Sequence, residues 1–259
     1  MKIYGIQLDI VWENKQTNFE KVRSLLSLTN PEPDSLVLLP EMFATGFSMN
    51  KEEISRDEPQ FTESFLQETA RQYRIYLLGG MVTMNASGLG SNLAVVCDPT
   101  GKTIAAYQKL HPFTYGGESK HYELGREIIC FSWQGFTVAP FICYDLRFPE
   151  IFRHAVQRGA NLIPVIACFP QARELHWMAL LRARAIENQL YIAGVNRCGS
   201  DPKLAYSGRS MIIDPKGEIL ADAGNGESVI GAEVSLSDLN TYRQELPFLL
   251  DIRKEYRML

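Results

Sequence analysis

At 259 residues, with 46% hydrophobic and 22% charged residues, the chain has the composition of a globular protein able to bury a sizeable core. A net charge of −4 supplies no electrostatic footprint for nucleic acid or an anionic membrane, so neither is expected as a partner. The five cysteines, at 97, 130, 143, 168 and 198, include no C-x-x-C, which argues against a disulfide framework and structural zinc and for a reducing, cytoplasmic setting.

In chain order, residues 2–10 alternate like a strand and carry charge within nine residues, unlike a signal peptide. No apolar run is long enough to span a bilayer. Phe19, Val22, Leu25 and Leu26 fall at helical spacing, which predicts a helix over 18–28. Residues 35–39 form a short, wholly apolar run, the pattern of a strand covered on both faces, and Pro40-Glu41 ends it. A second helix is predicted over 61–73 and a strand over 75–78, broken by Gly79-Gly80. Strands over 92–97 and 103–108 flank Asp98-Pro99-Thr100-Gly101, a turn with Pro and Gly where a tight turn uses them. Gly116-Gly117 reads as another turn, and no phosphate loop is present.

The second half repeats this grammar. A strand over 136–142, a helix over 149–158, an apolar run over 161–166, a helix over 172–188 and a strand over 190–195 follow in turn. A hairpin across Asp214-Pro215-Lys216-Gly217 then answers the first one. Two copies are too few for a solenoid. They suit one layered α/β domain spanning 1–259, with an internal pseudo-twofold, two sheets face to face and helices outside.

Chemistry gathers at strand ends, where open α/β sheets bind ligands. Cys143 sits where the strand over 136–142 turns toward a helix opened by Pro149 and Glu150, two residues favoured in a first helical turn. A thiol facing helix-terminal N–H groups would be biased toward thiolate; alternatively Cys143 is a small buried hydrophobe, and position alone leaves both open. Glu41 follows an apolar strand, where a buried carboxylate needs a partner. Lys109, in Tyr107-Gln108-Lys109-Leu110-His111, is either a solvated loop lysine or a fixed cation beside a nucleophile. Together Glu41, Lys109 and Cys143 supply a general base, a positive charge for an oxyanion and a thiol. The four histidines, at 111, 121, 154 and 176, form no metal-ligand spacing, so no metal or other cofactor is expected. His111, close to Lys109, leaves a Cys–His dyad as a further option.

Pro40-Glu41, Tyr107-Gln108-Lys109-Leu110-His111 and Cys143-Tyr144-Asp145-Leu146-Arg147-Phe148-Pro149-Glu150 resemble the three signature blocks of the nitrilase (carbon–nitrogen hydrolase) superfamily. Residues 143–149, Leu175-His176-Trp177 leading into 182–189, and 193–197 narrow the resemblance to its ω-amidase branch, which includes the YafV-type proteins. The resemblance implies a four-layer αββα sandwich. It also implies a thioester mechanism in which Glu41 is the base and Cys143 the nucleophile, with Lys109 and the Tyr144 backbone N–H holding the oxyanion. An accessory glutamate falls on Glu118, with Glu123 as the other register. The implied substrate is a short acid with a terminal amide, of the 2-oxoglutaramate or 2-oxosuccinamate type. Arg147 is the candidate to face its carboxylate, the alternative being a structural partner of Asp145 or Glu150, and Phe43, Tyr115 and Phe169 would line the pocket. A homodimer or larger homo-oligomer is implied, formed through the helix after the nucleophile and the apolar tail from Leu239 to Ile252. Where the branch reads Ala-Asn-Trp-Pro, this chain has Ala167-Cys168-Phe169-Pro170, which leaves substrate preference less fixed than reaction type. The rivals are another branch activity (nitrile hydrolysis, aliphatic amide hydrolysis or N-carbamoyl amino acid hydrolysis) and a catalytically silent interaction protein on the same fold.

Overall fold

A computed structural model describes residues 1–56, 61–253 and 255. The first half runs β1 (Lys2–Gln7), α1 (Lys15–Thr29), β2 (Leu36–Leu38), α2 (Lys51–Ile54), α3 (Thr62–Tyr73), β3 (Tyr76–Met84), β4 (Gly90–Cys97) and β5 (Thr103–Gln108). The second begins with β6 (Phe131–Trp133), β7 (Phe136–Val138), β8 (Phe141–Ile142), α4 (Pro149–Gln157), β9 (Leu162–Ala167), α5 (Glu174–Asn188) and β10 (Tyr191–Asn196). It closes with β11 (Cys198–Ser200), β12 (Ala205–Ser207), β13 (Met211–Ile213), β14 (Ile219–Asp222), β15 (Ser228–Glu233) and α6 (Leu236–Glu245).

The strands form two large sheets, ordered β15-β1-β2-β3-β4-β5 and β14-β13-β10-β9-β7-β6, with β8 also paired to β9. In each, three positions in a row are parallel (β1, β2, β3 and β7 with β8, β9, β10) and two antiparallel strands complete the side. Order and sense therefore repeat, as the two sequence halves predicted. The period-2 alternation of the first sheet shows what holds the layers together. Ile3, Leu36, Leu38, Leu78, Ala94 and Val96 face the second sheet. Their neighbours Ile6, Val37, Leu39, Leu77 and Val95 face Phe19, Val22 and Leu26 of α1 and Phe65 and Leu66 of α3. Helices α4 and α5 cover the other sheet through Phe152, Ala155, Trp177 and Leu181. The result is an αββα sandwich.

Two expectations are corrected, and one strand is added. Gly79-Gly80 does not break β3, which runs on to Met84. At Gly80 an added Cβ would lie 2.4 Å from the Met42 backbone N and 2.6 Å from the Glu41 Cα, so the glycine lets the Glu41 segment lie against the strand. The strand over 136–142 is two short pieces, because Ala139-Pro140 lies between β7 and β8 and proline cannot donate to a ladder. Strand β15, not read from the sequence, adds an edge to the first sheet by pairing antiparallel with β1.

Candidate active site

Glu41 leaves β2 two residues after Leu39, and Met42 turns the chain with a left-handed φ of 45°. Lys109 follows β5; its N–H donates to the Asn92 carbonyl at 3.0 Å and its carbonyl accepts from Gly125 at 2.7 Å. Glu118 opens a single 3-10 turn. The side chains converge although they come from two separate connections, β2–α2 for Glu41 and β5–β6 for Lys109 and Glu118; Glu41 and Glu118 are 0% and Lys109 2% exposed. Lys109 Nζ donates to Glu41 Oε1 at 2.9 Å and to Glu118 Oε2 at 2.8 Å. Asn92 Nδ2 donates to the same two carboxylates, at 2.8 Å to Glu41 and 3.0 Å to Glu118. The Cys168 N–H donates to Glu41 Oε2 at 2.9 Å, and the Phe113 N–H donates to Glu118 Oε2. Burial alone would neutralise Lys109, but Glu118 and Glu41 outweigh it and hold the ammonium pKa well above its ordinary value.

Cys143 leaves β8 with a left-handed φ of 48° and begins a 3-10 turn over Cys143–Arg147. Such a backbone is costly for a residue with a side chain and persists only where its surroundings enforce it. Asp145 does so. It is fully buried, and its Oδ2 accepts from the Ile142 N–H at 3.0 Å and from the Tyr107 hydroxyl at 2.7 Å. Its Oδ1 accepts from the His111 N–H at 3.0 Å and lies 2.8 Å from His111 Nδ1. His111 therefore belongs to the support of the turn, with its ring stacked on Phe148 at 3.8 Å, and a Cys–His dyad is not formed. The expected thiolate bias is overturned too. Burial first, and then the neighbouring Glu41 carboxylate, push the Cys143 thiol well above its ordinary value, with Lys109 only partly offsetting them. The same two causes raise Cys168. At neutral pH Cys143 is a thiol that needs a base, and Glu41 is beside it.

Lys109, Cys143 and Cys168 open onto a cavity with about 410 Å³ of empty space, counting its open mouth. Of the residues expected at the substrate, Tyr144, Arg147 and Phe169 line it. Phe43 does not: it lies in the core between Phe19 and Phe65, with ring centroids at 5.9 Å and 5.8 Å. Tyr115 is 91% exposed and is not part of the wall. Glu118, not Glu123, joins Lys109; Glu123 instead accepts from Asn85. Phe47, Phe113, Arg173, Leu204 and Tyr206 also line it and were not foreseen. Asn92 could have been found only as a buried amide next to Ser91 in the largely apolar strand β4; loop residues such as Phe113 and Arg173 carried no comparable signal.

Residues 5–244 match the family model described as Carbon-nitrogen hydrolase. The chain is 34% identical to the 2-oxoglutaramate amidase of Bacillus subtilis, covering 96% of each chain. It is 38% identical to the omega-amidase YafV of Yersinia enterocolitica, over 98% of this chain and 97% of the relative. A CN-hydrolase superfamily protein of Xanthomonas campestris, solved with an arsenic adduct in its active site, superposes with a TM-score of 0.92 at 32% identity, covering 98% and 97%. By family match, near-full-length identity and shared fold, the chain belongs to the carbon–nitrogen hydrolase family and is a hydrolase of carbon–nitrogen bonds.

Proposed function

We propose that the protein is an ω-amidase that cleaves the terminal amide of a short 2-oxo acid, of the 2-oxoglutaramate type, through a thioester on Cys143. The observation that carries this reading is that Lys109 and Cys143 line one cavity whose wall also holds arginine, with the buried Glu41 paired to Lys109 behind them. The names of the Bacillus and Yersinia relatives support the substrate class. Glu41 takes the thiol proton as Cys143 Sγ attacks the amide carbon. Lys109 Nζ and the Tyr144 N–H, at the open start of a 3-10 turn, meet the oxyanion. Collapse of the adduct breaks the C–N bond, and the proton on Glu41 leaves with ammonia. Water then attacks the thioester, giving one proton to Glu41; the acid departs and Cys143 regains its proton. Glu118 and Asn92 hold Lys109 and Glu41 in place throughout. Arg147 faces the distal carboxylate, since a guanidinium suits it bidentately.

The test is ammonia release from 2-oxoglutaramate by the purified protein, with an acyl adduct on Cys143 seen by mass spectrometry after rapid quench. Cys143→Ala should abolish both. Ammonia accompanied by carbon dioxide from N-carbamoyl amino acids, with none from 2-oxoglutaramate, would replace this reading with that branch. We further propose one domain, in the cytoplasm, assembled as a homodimer. Free thiols support the compartment; the tail supports the dimer, with apolar Leu246 and Leu250 both exposed. Among the described residues no helix is long and apolar enough to cross a membrane.

A further inference from the structure

Two guanidinium groups stand on the wall of the cavity, Arg147 and Arg173. Among the described residues neither makes an ion pair with a carboxylate, while other arginines do: Arg184 with Glu187 and Arg209 with Asp222. Each is held by ring faces instead. Arg147 lies over Phe169 at 5.4 Å and over Tyr144 at 6.0 Å, and Arg173 lies over Phe113 at 5.3 Å. Stacking occupies the face of a guanidinium and leaves its in-plane N–H donors free for a planar anion. Arg147 spends one of them near His176 Nδ1, at 3.3 Å. Arg173 comes from the turn Gln171–Arg173 before α5, a different segment from Arg147, so the two approach the cavity from separate elements.

The charge of the interior explains why one cation is not enough. Two carboxylates, Glu41 and Glu118, share the one ammonium of Lys109, a formal surplus of one negative charge in this cluster. An anionic substrate is repelled by that surplus. One arginine cancels it, and a second leaves net attraction at the mouth. We propose that Arg173 is a substrate-binding residue that acts with Arg147 on the 2-oxo-acid end of the substrate. Such an end is planar and offers two carboxylate oxygens and an adjacent keto oxygen. One guanidinium takes the carboxylate bidentately, and the other takes the keto oxygen with the carboxylate oxygen beside it. The site thereby selects amides of 2-oxo acids over plain ω-amido acids, and both over neutral amides. This rests on the amidase reading above and names the residue that sets its substrate class.

The test measures binding without turnover. Three ligands of equal length, 2-oxoglutaramate, glutaramate and pentanamide, are titrated calorimetrically into the Cys143→Ala protein and into Cys143→Ala carrying Arg173→Gln or Arg173→Lys. Arg173→Gln should weaken 2-oxoglutaramate at least tenfold more than pentanamide and shrink its advantage over glutaramate. Arg173→Lys should restore part of the loss. Unchanged affinity for 2-oxoglutaramate, or an equal loss on all three ligands, overturns the proposal and leaves Arg173 a packing partner of Phe113. Turnover by the unmutated protein is scored separately. A protein that hydrolyses none of the amides refutes the amidase reading, whereas the binding ratio still decides Arg173.

Discussion

Glu41 has two effects on Cys143 that pull in opposite directions, and a substitution can separate them. Its negative charge keeps the sulfur protonated, and its carboxylate is the group that can accept the proton during attack. A raised thiol pKa means a smaller thiolate fraction at any given pH, so the unmutated protein should show no Cys143 thiolate absorbance at 240 nm between pH 7 and 9. Glu41→Gln removes the charge but leaves Lys109, so the thiolate step should move to lower pH. Turnover should nonetheless fall by about 10²–10⁴-fold, the usual worth of a positioned general base. A thiolate step that stays put, or activity within tenfold of the unmutated protein, would remove Glu41 from this role. Asn92 makes a second residue-scale prediction. Its amide donates to both buried carboxylates, and hydrogen bonds to charged groups are worth about 1.5–3 kcal/mol each. Asn92→Ala should therefore cost about 2 kcal/mol or more in urea unfolding and lower kcat, because Glu41 and Glu118 lose a shared clamp. Unchanged unfolding and kcat would show that Lys109 and the Cys168 and Phe113 N–H groups hold the pair without Asn92.

At the scale of the element, β3 is more than a sheet strand: its glycine pair makes room for the active-site turn. Gly79 would place a Cβ 2.8 Å from Leu66 Cδ2, on a side chain that can shift, whereas Gly80 would meet backbone. Gly80→Ala should displace the Glu41 segment, lowering kcat at least tenfold and costing about 1–3 kcal/mol, as overpacking does. Gly226, with open space around its Cβ position, is the matched control and should tolerate alanine with no change in either. Equal behaviour of the two variants in thermal unfolding and steady-state kinetics would refute the argument. The turn after β8 works by another route, since its left-handed Cys143 is fixed by the buried Asp145 rather than by a glycine.

At the scale of the whole molecule, several large apolar side chains stand exposed among the described residues. Ile186 on α5, Ile219 and Leu220 on β14, and Leu246 and Leu250 in the tail are all exposed, Leu250 at 82%. Solvated termini rarely carry such residues, and a second copy would bury them. Light scattering at micromolar concentration should give about twice the chain mass of 29.3 kDa, and Leu250→Glu should shift it toward one. A monomer mass for the unmutated chain would end the proposal.

Local periodicity and turn chemistry were legible in the sequence because each acts within a dozen residues. They yielded the main strands and helices in order, the twofold repeat and the hairpins at Asp98-Pro99-Thr100-Gly101 and Asp214-Pro215-Lys216-Gly217, but not α2, β6, β11, β12, β15 or α6. The signature blocks singled out Glu41, Lys109 and Cys143 by residue type. Their assembly was decided only in three dimensions: Glu41 meets Lys109 across 68 positions, Asn92 across 51 and Cys168 across 127. β15 was unreadable for the same reason, since a half-buried edge strand has a weak pattern and is fixed by β1 far away in sequence. The protonation of Cys143 stayed open in the sequence because the approach to a helix is local, whereas burial and the Glu41 charge exist only after the sheets pack. Sequence determined which groups could do chemistry; the sandwich decided their partners, their charge states and which of them the substrate can reach.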